Sequence, residues 1–567
     1  MRNLLSAALL LFYGCNLLYG QKVPHSEYIL SFLEVDDPQD MDSEEVERLE
    51  HLIENPLPVN LLSESELRGC GLFSQYQVAV LSDYISRHGA LLSLMEMSLL
   101  DGFGESYVRR IAPFISLKTS NSKSSDFKQE IAVRGGWRWQ GASDGTYGAK
   151  YRLEVGDRFT AVMASSRAAG TDSWSPSAYS ASLFWKFDRL PIRVIAGDFN
   201  ARFGQGMVLW NNAFTSSLTS MDAFMKKPTG ITQSWSFTGT GALSGVAADF
   251  GIGKCQLSVM TALKGLKDIV ASKEKLQLMP AMNLAWYGRC GHVSLTTVSY
   301  LPLGENTSGF NVKNGIDAAF CLRGVNVFGE MSYDWTDKQY ASVLGIRFKT
   351  GENMDIAMQV RACHKEQYGI AAGGAYSMSQ KGQISFFLDA LCHYEPKDGD
   401  ERHSTQLKGL LSCDLSLSGQ WRLKLRFSER FRTWGLPTRT DLRSDVIYTA
   451  APIVVTLRMN ILNCDRTSCL SYVECGYTRD RMSWFLRQGI FIIDDWDDRI
   501  YVYERDAPGT FNAPALYGRG LWTAMTASVK ISTSFRIYAR ASLMTYPFME
   551  KKKPGKAELK LQLQYRF

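Results

Sequence analysis

No run of roughly eighteen consecutive apolar residues occurs after the first 20 positions, so the sequence encodes no membrane-spanning helix. It has no C-x-x-C pair either. Cys255, Cys290, Cys321, Cys363, Cys392 and Cys413 stand singly in strand-like text, which argues against a disulfide framework and suits a reducing or anaerobic habitat. Cys464, Cys469 and Cys475 lie closer together; a loop disulfide would fit there, but no His is near enough to complete a zinc site. No motif repeats at a fixed period, as a solenoid or propeller would require. Histidine is scarce, with 7 in 567 residues.

A hydrophobic share of 45% is ordinary for a soluble protein. A transmembrane barrel gives the same middling average, because lipid-facing and lumen-facing residues alternate. Aromatics at 12% and 47 glycines lean towards a barrel, which uses aromatics as interfacial girdles and glycine in turns and bent strands. The amino-terminus reads as an export signal over residues 1–20: Arg2, an apolar run from Leu4 to Tyr13, then Leu18-Tyr19-Gly20 before Gln21. Cys15 follows Phe12-Tyr13-Gly14, a poor match to a lipoprotein signal.

Residues 21–57 form an acidic linker, Glu34 to Asp40, and a short helix capped by Ser43 with Val46, Leu49, Leu52 and Ile53 on one face. Residues 58–117 read as helical in a doubled pattern. In the first unit Gly69-Cys70-Gly71 precedes a helix over 75–86; in the second Gly102-Phe103-Gly104 precedes a helix over 105–111, closed by Pro113-Phe114. This pattern resembles a tandem helix-hairpin-helix domain of the competence-protein type. The resemblance implies that Gly69, Gly71, Gly102, Phe103 and Gly104 shape hairpins whose backbone N–H groups meet a DNA phosphate, with Arg109 and Arg110 as cationic contacts. Charge opposes that role. Residues 41–117 carry twelve acids against five bases, a net −7, and such a face repels phosphates. The competing reading is a small helical domain that keeps the fold and packs against protein.

Residues 118–126 are a Ser-, Asn- and Lys-rich linker. From 127 to 567 helical periodicity gives way to alternation, as in Ile131 to Trp139 and Trp421 to Phe427. The final strand alternates without error and ends on an aromatic carboxy-terminus. It resembles the closing strand of a bacterial outer-membrane β-barrel. In that family this segment, here Leu561, Leu563, Tyr565 and Phe567, is what the assembly machinery reads. Gly197-Asp198-Phe199-Asn200-Ala201-Arg202-Phe203-Gly204-Gln205-Gly206-Met207-Val208-Leu209-Trp210 resembles a segment of large Bacteroidetes outer-membrane barrels that carry such an amino-terminal helical domain. The expected fold is an all-β transmembrane barrel of roughly 20–24 antiparallel strands, preceded by a small all-α helix-hairpin-helix domain in the periplasm.

The whole chain is +6; with Arg2 and the −4 of residues 21–40 set aside, the acidic helices leave +16 on residues 118–567. In the clearest strands Arg134, Arg138, Arg152, Arg422, Lys424, Arg426, Arg536 and Arg540 sit opposite the apolar face. If that face meets lipid, they line the lumen. Three readings stay open: a lumen that favours anions, ordinary cross-strand pairing with Asp and Glu, or docking of the acidic domain at the basic mouth.

Catalysis has little support. Cys363-His364 and Cys392-His393 point to opposite faces of their strands. His292 and Ser294 share a face, but no third group is identifiable from sequence. No catalytic residue and no cofactor is assigned. Asp494, Asp495, Asp497 and Asp498 could hold Ca²⁺ in an outer loop, though the run lacks the alternation of a known calcium loop. The expected function is a pore, a transporter or a subunit of a larger outer-membrane assembly, partnered by lipid and by outer-membrane or periplasmic proteins. The alternative is DNA binding or uptake through the hairpins.

Overall fold

The computed structural model describes residues 28–29, 32–33, 43–119 and 127–567, apart from 172, 188–189, 212–217, 238–240, 265–275, 304–309, 351–352, 365–366, 379–380, 395–403, 436 and 550–552. The export signal and most of the 118–126 linker lie outside the described residues.

Alternation dictates the wall. In the last strand, Lys556–Arg566, Leu559 and Leu561 are 46% and 48% exposed, whereas Gln562 and Gln564 are 3% and 5% exposed. One face therefore looks out and the other in, and a one-residue slip would reverse every side chain. Twenty-four long antiparallel strands close on themselves, at the top of the expected range. The first, Phe127–Gln140, pairs with the last, with Val133 opposite Leu563. The even count brings the chain back to the end where the barrel began. Connections at that end are short turns such as 253–254 and 480–481; the opposite end carries longer ones, including 494–517. The outer surface is apolar all round, with Leu344, Ile370, Leu388 and Leu411 each more than half exposed. No soluble monomer presents so wide an apolar band to water; it is the lipid-facing surface of a membrane barrel.

Before the barrel come helices α1 (Ser43–Glu54), α2 (Glu64–Gly69), α3 (Gln75–His88), α4 (Leu94–Ser98) and α5 (Glu105–Ile111). Ser63 and Ser74 start α2 and α3 with reciprocal capping boxes to Glu66 and Gln77. The apolar face of α1 (Val46, Leu49, Leu52) shares one core with Leu67, Leu81, Phe103, Ile111 and Phe114. So α1, which sequence grouped with the acidic linker, belongs to the same packed unit as residues 58–117. Leu57–Pro58 pairs in parallel with Ile115–Ser116 and ties the chain just after α1 to the end of that unit.

One wall strand leaves the wall. Ile192–Arg202 pairs with Leu243–Ile252 only as far as Phe199; from there its end pairs with a short strand, Gly230–Gln233. Gly197 sits at the departure with φ +99, and a Cβ there would collide with the carbonyl of Ala181. The chain then packs inside the barrel. A short helix, α6 (Met221–Phe224), seats Met221 and Phe224 on wall residues Ala319, Phe328, Ala357, Ala371 and Phe387. Alanines on the inner wall leave the room these side chains need. The connection 494–517 also folds inward, with Trp522 donating to Glu504 at 2.6 Å and Phe511 reaching the helical core.

Candidate functional site

The helical unit sits in the barrel mouth at the turn end, and α1 carries most of the contact. Its glutamates recur at 47, 50 and 54, on the side away from Val46 and Leu49. Glu54 binds Arg536 at 2.7 Å and also Arg566. Glu47 binds Lys150. Glu50 accepts from the backbone N–H of Gly509 at 3.0 Å, and Glu44 accepts from Asn200 Nδ2 at 2.8 Å. Glu45 reaches Arg202 at 3.4 Å. Beyond α1, Glu66 pairs with Lys186 at 2.7 Å, and Arg110 lies 3.7 Å from Asp222 of the in-lumen helix. The acidic unit thus docks on basic barrel positions, the third of the readings left open by the charge count.

Burial and charge compete along this interface. Burial pushes the Glu45 carboxyl up, but Arg48 and Arg202 outweigh it and hold the group at about 2. Burial likewise opposes the charge on Asp222, yet Lys227, Arg347 and Arg110 keep its carboxyl far below 3.8. Glu50 goes the other way. Burial raises it well above 4.5, and Glu47, Glu54 and Asp506 add to the rise. Burial drives His51 well below 6.5, assisted by Arg152, Arg566 and Lys150. Its ring packs at a tilt against Trp235 of the in-lumen segment, with centroids 4.8 Å apart.

All eight ladder cations face inward, but their partners divide them. Arg536 and Arg540 are neutralised by carboxylates of the helical unit, the inward-folded connection and the wall: Glu54 for Arg536, and Glu504, Asp506 and Glu558 for Arg540. Arg138 lies 3.3 Å from Glu558, and Arg152 pairs with Glu154 under the Trp235 ring. Arg134 donates to Gly509 O at 3.3 Å and covers the Phe237 ring. Arg422 and Lys424, a quarter-turn away on Trp421–Arg432, share Asp414 at 2.5 and 3.8 Å, and Arg426 lines a basic recess.

The hairpins face the barrel. Gly69 and Gly71 lie beside Thr229 of the in-lumen segment, and Gly71 also against Arg48. Gly102 packs on Tyr76, Phe103 is buried in the helical core, and the Phe103 carbonyl accepts from Lys349 Nζ at 2.9 Å next to Gly104. Arg109 pairs with Glu105, and Arg110 is committed to Asp222. The surfaces that the resemblance would offer to DNA phosphates are thus turned to the wall and its insertions. The four aspartates do not converge. Asp494 binds Arg519, Asp498 accepts from the N–H groups of Asp465 and Arg466, and Asp495 caps Asp497. Among the described residues no three His, Cys, Asp or Glu side chains are grouped to hold a metal.

His292 and Ser294 do find a third group, Asp317, but both bind that carboxylate rather than each other. The nucleophile-to-base bond that acyl transfer needs is missing.

The family-like segment has a structural use that sequence did not show. Gly204 (φ +58) and Gly206 (φ +87) bend the backbone so that the N–H groups of Gln205, Met207 and Val208 all donate to Glu330, at 2.6, 3.0 and 3.1 Å. This carboxylate pins the insertion to the wall. Between the helical unit and the wall a cavity of 1010 Å³ remains, lined by Arg109, Arg481, Lys530, Arg536, Arg566 and Tyr503 among others.

The barrel fold matches that of outer-membrane proteins. Neither a family model nor a curated protein sequence matches the chain. Among solved structures, it is similar to the P pilus usher PapC translocation pore, at 8% identity and a TM-score of 0.38, over 78% of this chain and 99% of that one. It is also similar to the siderophore receptor PirA from Pseudomonas aeruginosa, at 8% identity and a TM-score of 0.43, over 79% of this chain and 82% of that one. The ferric yersiniabactin uptake receptor FyuA from Yersinia pestis covers 77% of this chain, with 80% of its own length, 8% identity and a TM-score of 0.36. The likeness is one of barrel architecture and carries no functional residue across.

Proposed function

We propose that this outer-membrane barrel is a gated transporter or pore whose acidic helical unit, a competence-type helix-hairpin-helix domain of the Bacteroidetes barrel kind, is its periplasmic plug. The docking of α1 supports this reading: Glu47 and Glu54 meet Lys150, Arg536 and Arg566 inside the mouth. These pairs are largely buried on the glutamate side, and the desolvation of their charges offsets much of their attraction, so a partner protein that competes for the plug could release it. An apolar interface of the same extent would be far harder to open. The exposed side of the helices, including Leu92, Met95 and Leu99, is the part left for such a partner.

The test is ion conductance in planar bilayers. The full chain should be closed, and the Glu47→Lys/Glu54→Lys variant should conduct, because reversed charges repel the mouth. A wild type that conducts steadily, or a double variant that folds and stays silent, would sink the plug reading.

A further inference from the structure

Met482–Ile493 and Gly518–Lys530 are neighbours in the wall, with Ile493 directly opposite Gly518. A turn of a few residues would join them, yet residues 494–517 are spent. Much of that length is a hairpin inside the lumen. Ile500–Tyr501 pairs with Ala515–Leu516, Glu504 N–H donates to Asn512 O at 2.9 Å, and Thr510 N–H closes the tip on Ala507 O at 3.2 Å. At about 3.3 Å per residue, the arm from Ile500 to Pro508 reaches roughly 26 Å. That is close to the ~30 Å of a bilayer's hydrocarbon core.

The hairpin is fastened at its two ends to different bodies. At its root, Ile500, Val502 and Leu516 are buried among Phe491, Ile493 and Trp522 of the wall. Along the shaft, Arg505 pairs with Glu474 at 3.0 Å and Asp506 with Lys560 at 2.8 Å. At the tip, Gly509 N–H donates to Glu50 of α1, and Phe511 packs on the helical core. Only glycine fits at 509 (φ +76), because a Cβ would lie 2.8 Å from the Phe237 ring and 3.2 Å from the Glu47 carboxylate. Above the root, the carbonyls of Asp497 and Arg499 accept from Arg439 at 3.2 and 3.1 Å, and Trp496 is half exposed at the loop end.

We propose that this hairpin is a strut coupling the loop end to the helical unit: displacing its root from outside loosens α1 in the mouth, and loosening α1 frees the root. The inference rests on the helical unit being the plug, and adds that the plug is held from the outer side as well as by the mouth. Hydrogen bonds between the arms keep the ribbon straight, so a shift at one end is passed to the other rather than absorbed. Linkage makes the coupling reciprocal. A segment that merely filled the lumen would touch α1 without answering to its own root.

The test is hydrogen exchange of the detergent-solubilised full chain, read peptide by peptide by mass spectrometry. Leu516 belongs to the root cluster and not to the helical core. Leu516→Ala should nevertheless speed exchange over 43–54 by at least roughly fivefold, and leave the wall strand Gly382–His393 unchanged. In the reverse direction, Glu54→Lys should speed exchange over 500–505 and 512–516. Heat-shifted gel mobility verifies that each barrel is folded, and Ile500→Ala replaces Leu516→Ala if the latter is not. Wild-type exchange over 43–54 in a folded root variant, or an unchanged hairpin in Glu54→Lys, overturns the strut. Exchange is read without passage. A chain whose root variant loosens α1 but which fails the conductance test loses the plug reading and keeps the coupling. One that conducts on charge reversal while its root variant leaves α1 unchanged keeps the plug and loses the strut.

Discussion

Glu50 shows how burial and charge trade off in a single residue. It sits on the acidic stripe of α1 beside Glu47, Glu54 and Asp506, and burial raises its carboxyl well above 4.5. A raised carboxyl binds its proton more readily when docked than when free. Below its ordinary value of 4.5 both states are protonated and the charge costs nothing; above that value the free state is favoured, increasingly until the docked value is passed. Glu50→Gln keeps an acceptor for Gly509 and removes the penalty. It should raise the thermal midpoint by a few degrees at neutral pH and leave it unchanged at pH below the ordinary value, as read by circular dichroism of the helical signal. An equal gain at both pH values would contradict the charge argument. His51 acts in the opposite sense, because its docked form is held neutral and acidification below 6.5 works against docking. The stripe itself was legible: the glutamates at 47, 50 and 54 stand clear of Val46 and Leu49. Its partners were not, because Lys150, Gly509, Arg536 and Arg566 lie roughly a hundred to more than five hundred residues away.

At the scale of the element, the strands were the most readable part. A period of two needs no tertiary information, and Leu559, Leu561, Leu563, Tyr565 and Phe567 face outward as their alternation requires. The insertion after Ile192–Arg202 was the least readable. Its glycines fold inward around a carboxylate supplied by Glu330, more than a hundred residues on. That partner carries no local signal. Gly204→Ala should strain this turn by about 1–2 kcal/mol for the left-handed backbone alone. A Cβ would also press on the Glu330 carboxylate, 2.7 Å away. Limited proteolysis of the folded barrel should then cut within 203–237 faster than in the wild type. Unchanged cleavage would mean that the turn does not hold the insertion.

Over the whole molecule, the separation of charge, −7 on residues 41–117 and +16 on residues 118–567, was visible in composition. Composition could not say whether the two parts attract, because each could have been neutralised within itself. The folded chain mixes the two: Arg540 is matched by barrel and loop acids, and Arg536 by the helical unit. Zero-length carbodiimide coupling reads this arrangement directly, since it joins only carboxylates and amines already in contact. Treated in membranes and digested, the full chain should yield Glu47–Lys150 and Glu66–Lys186 linked peptides, alongside the barrel-internal Asp157–Lys186 link, whose groups lie 2.9 Å apart. Recovery of the Asp157–Lys186 link without either of the other two would contradict a helical unit seated in the barrel mouth.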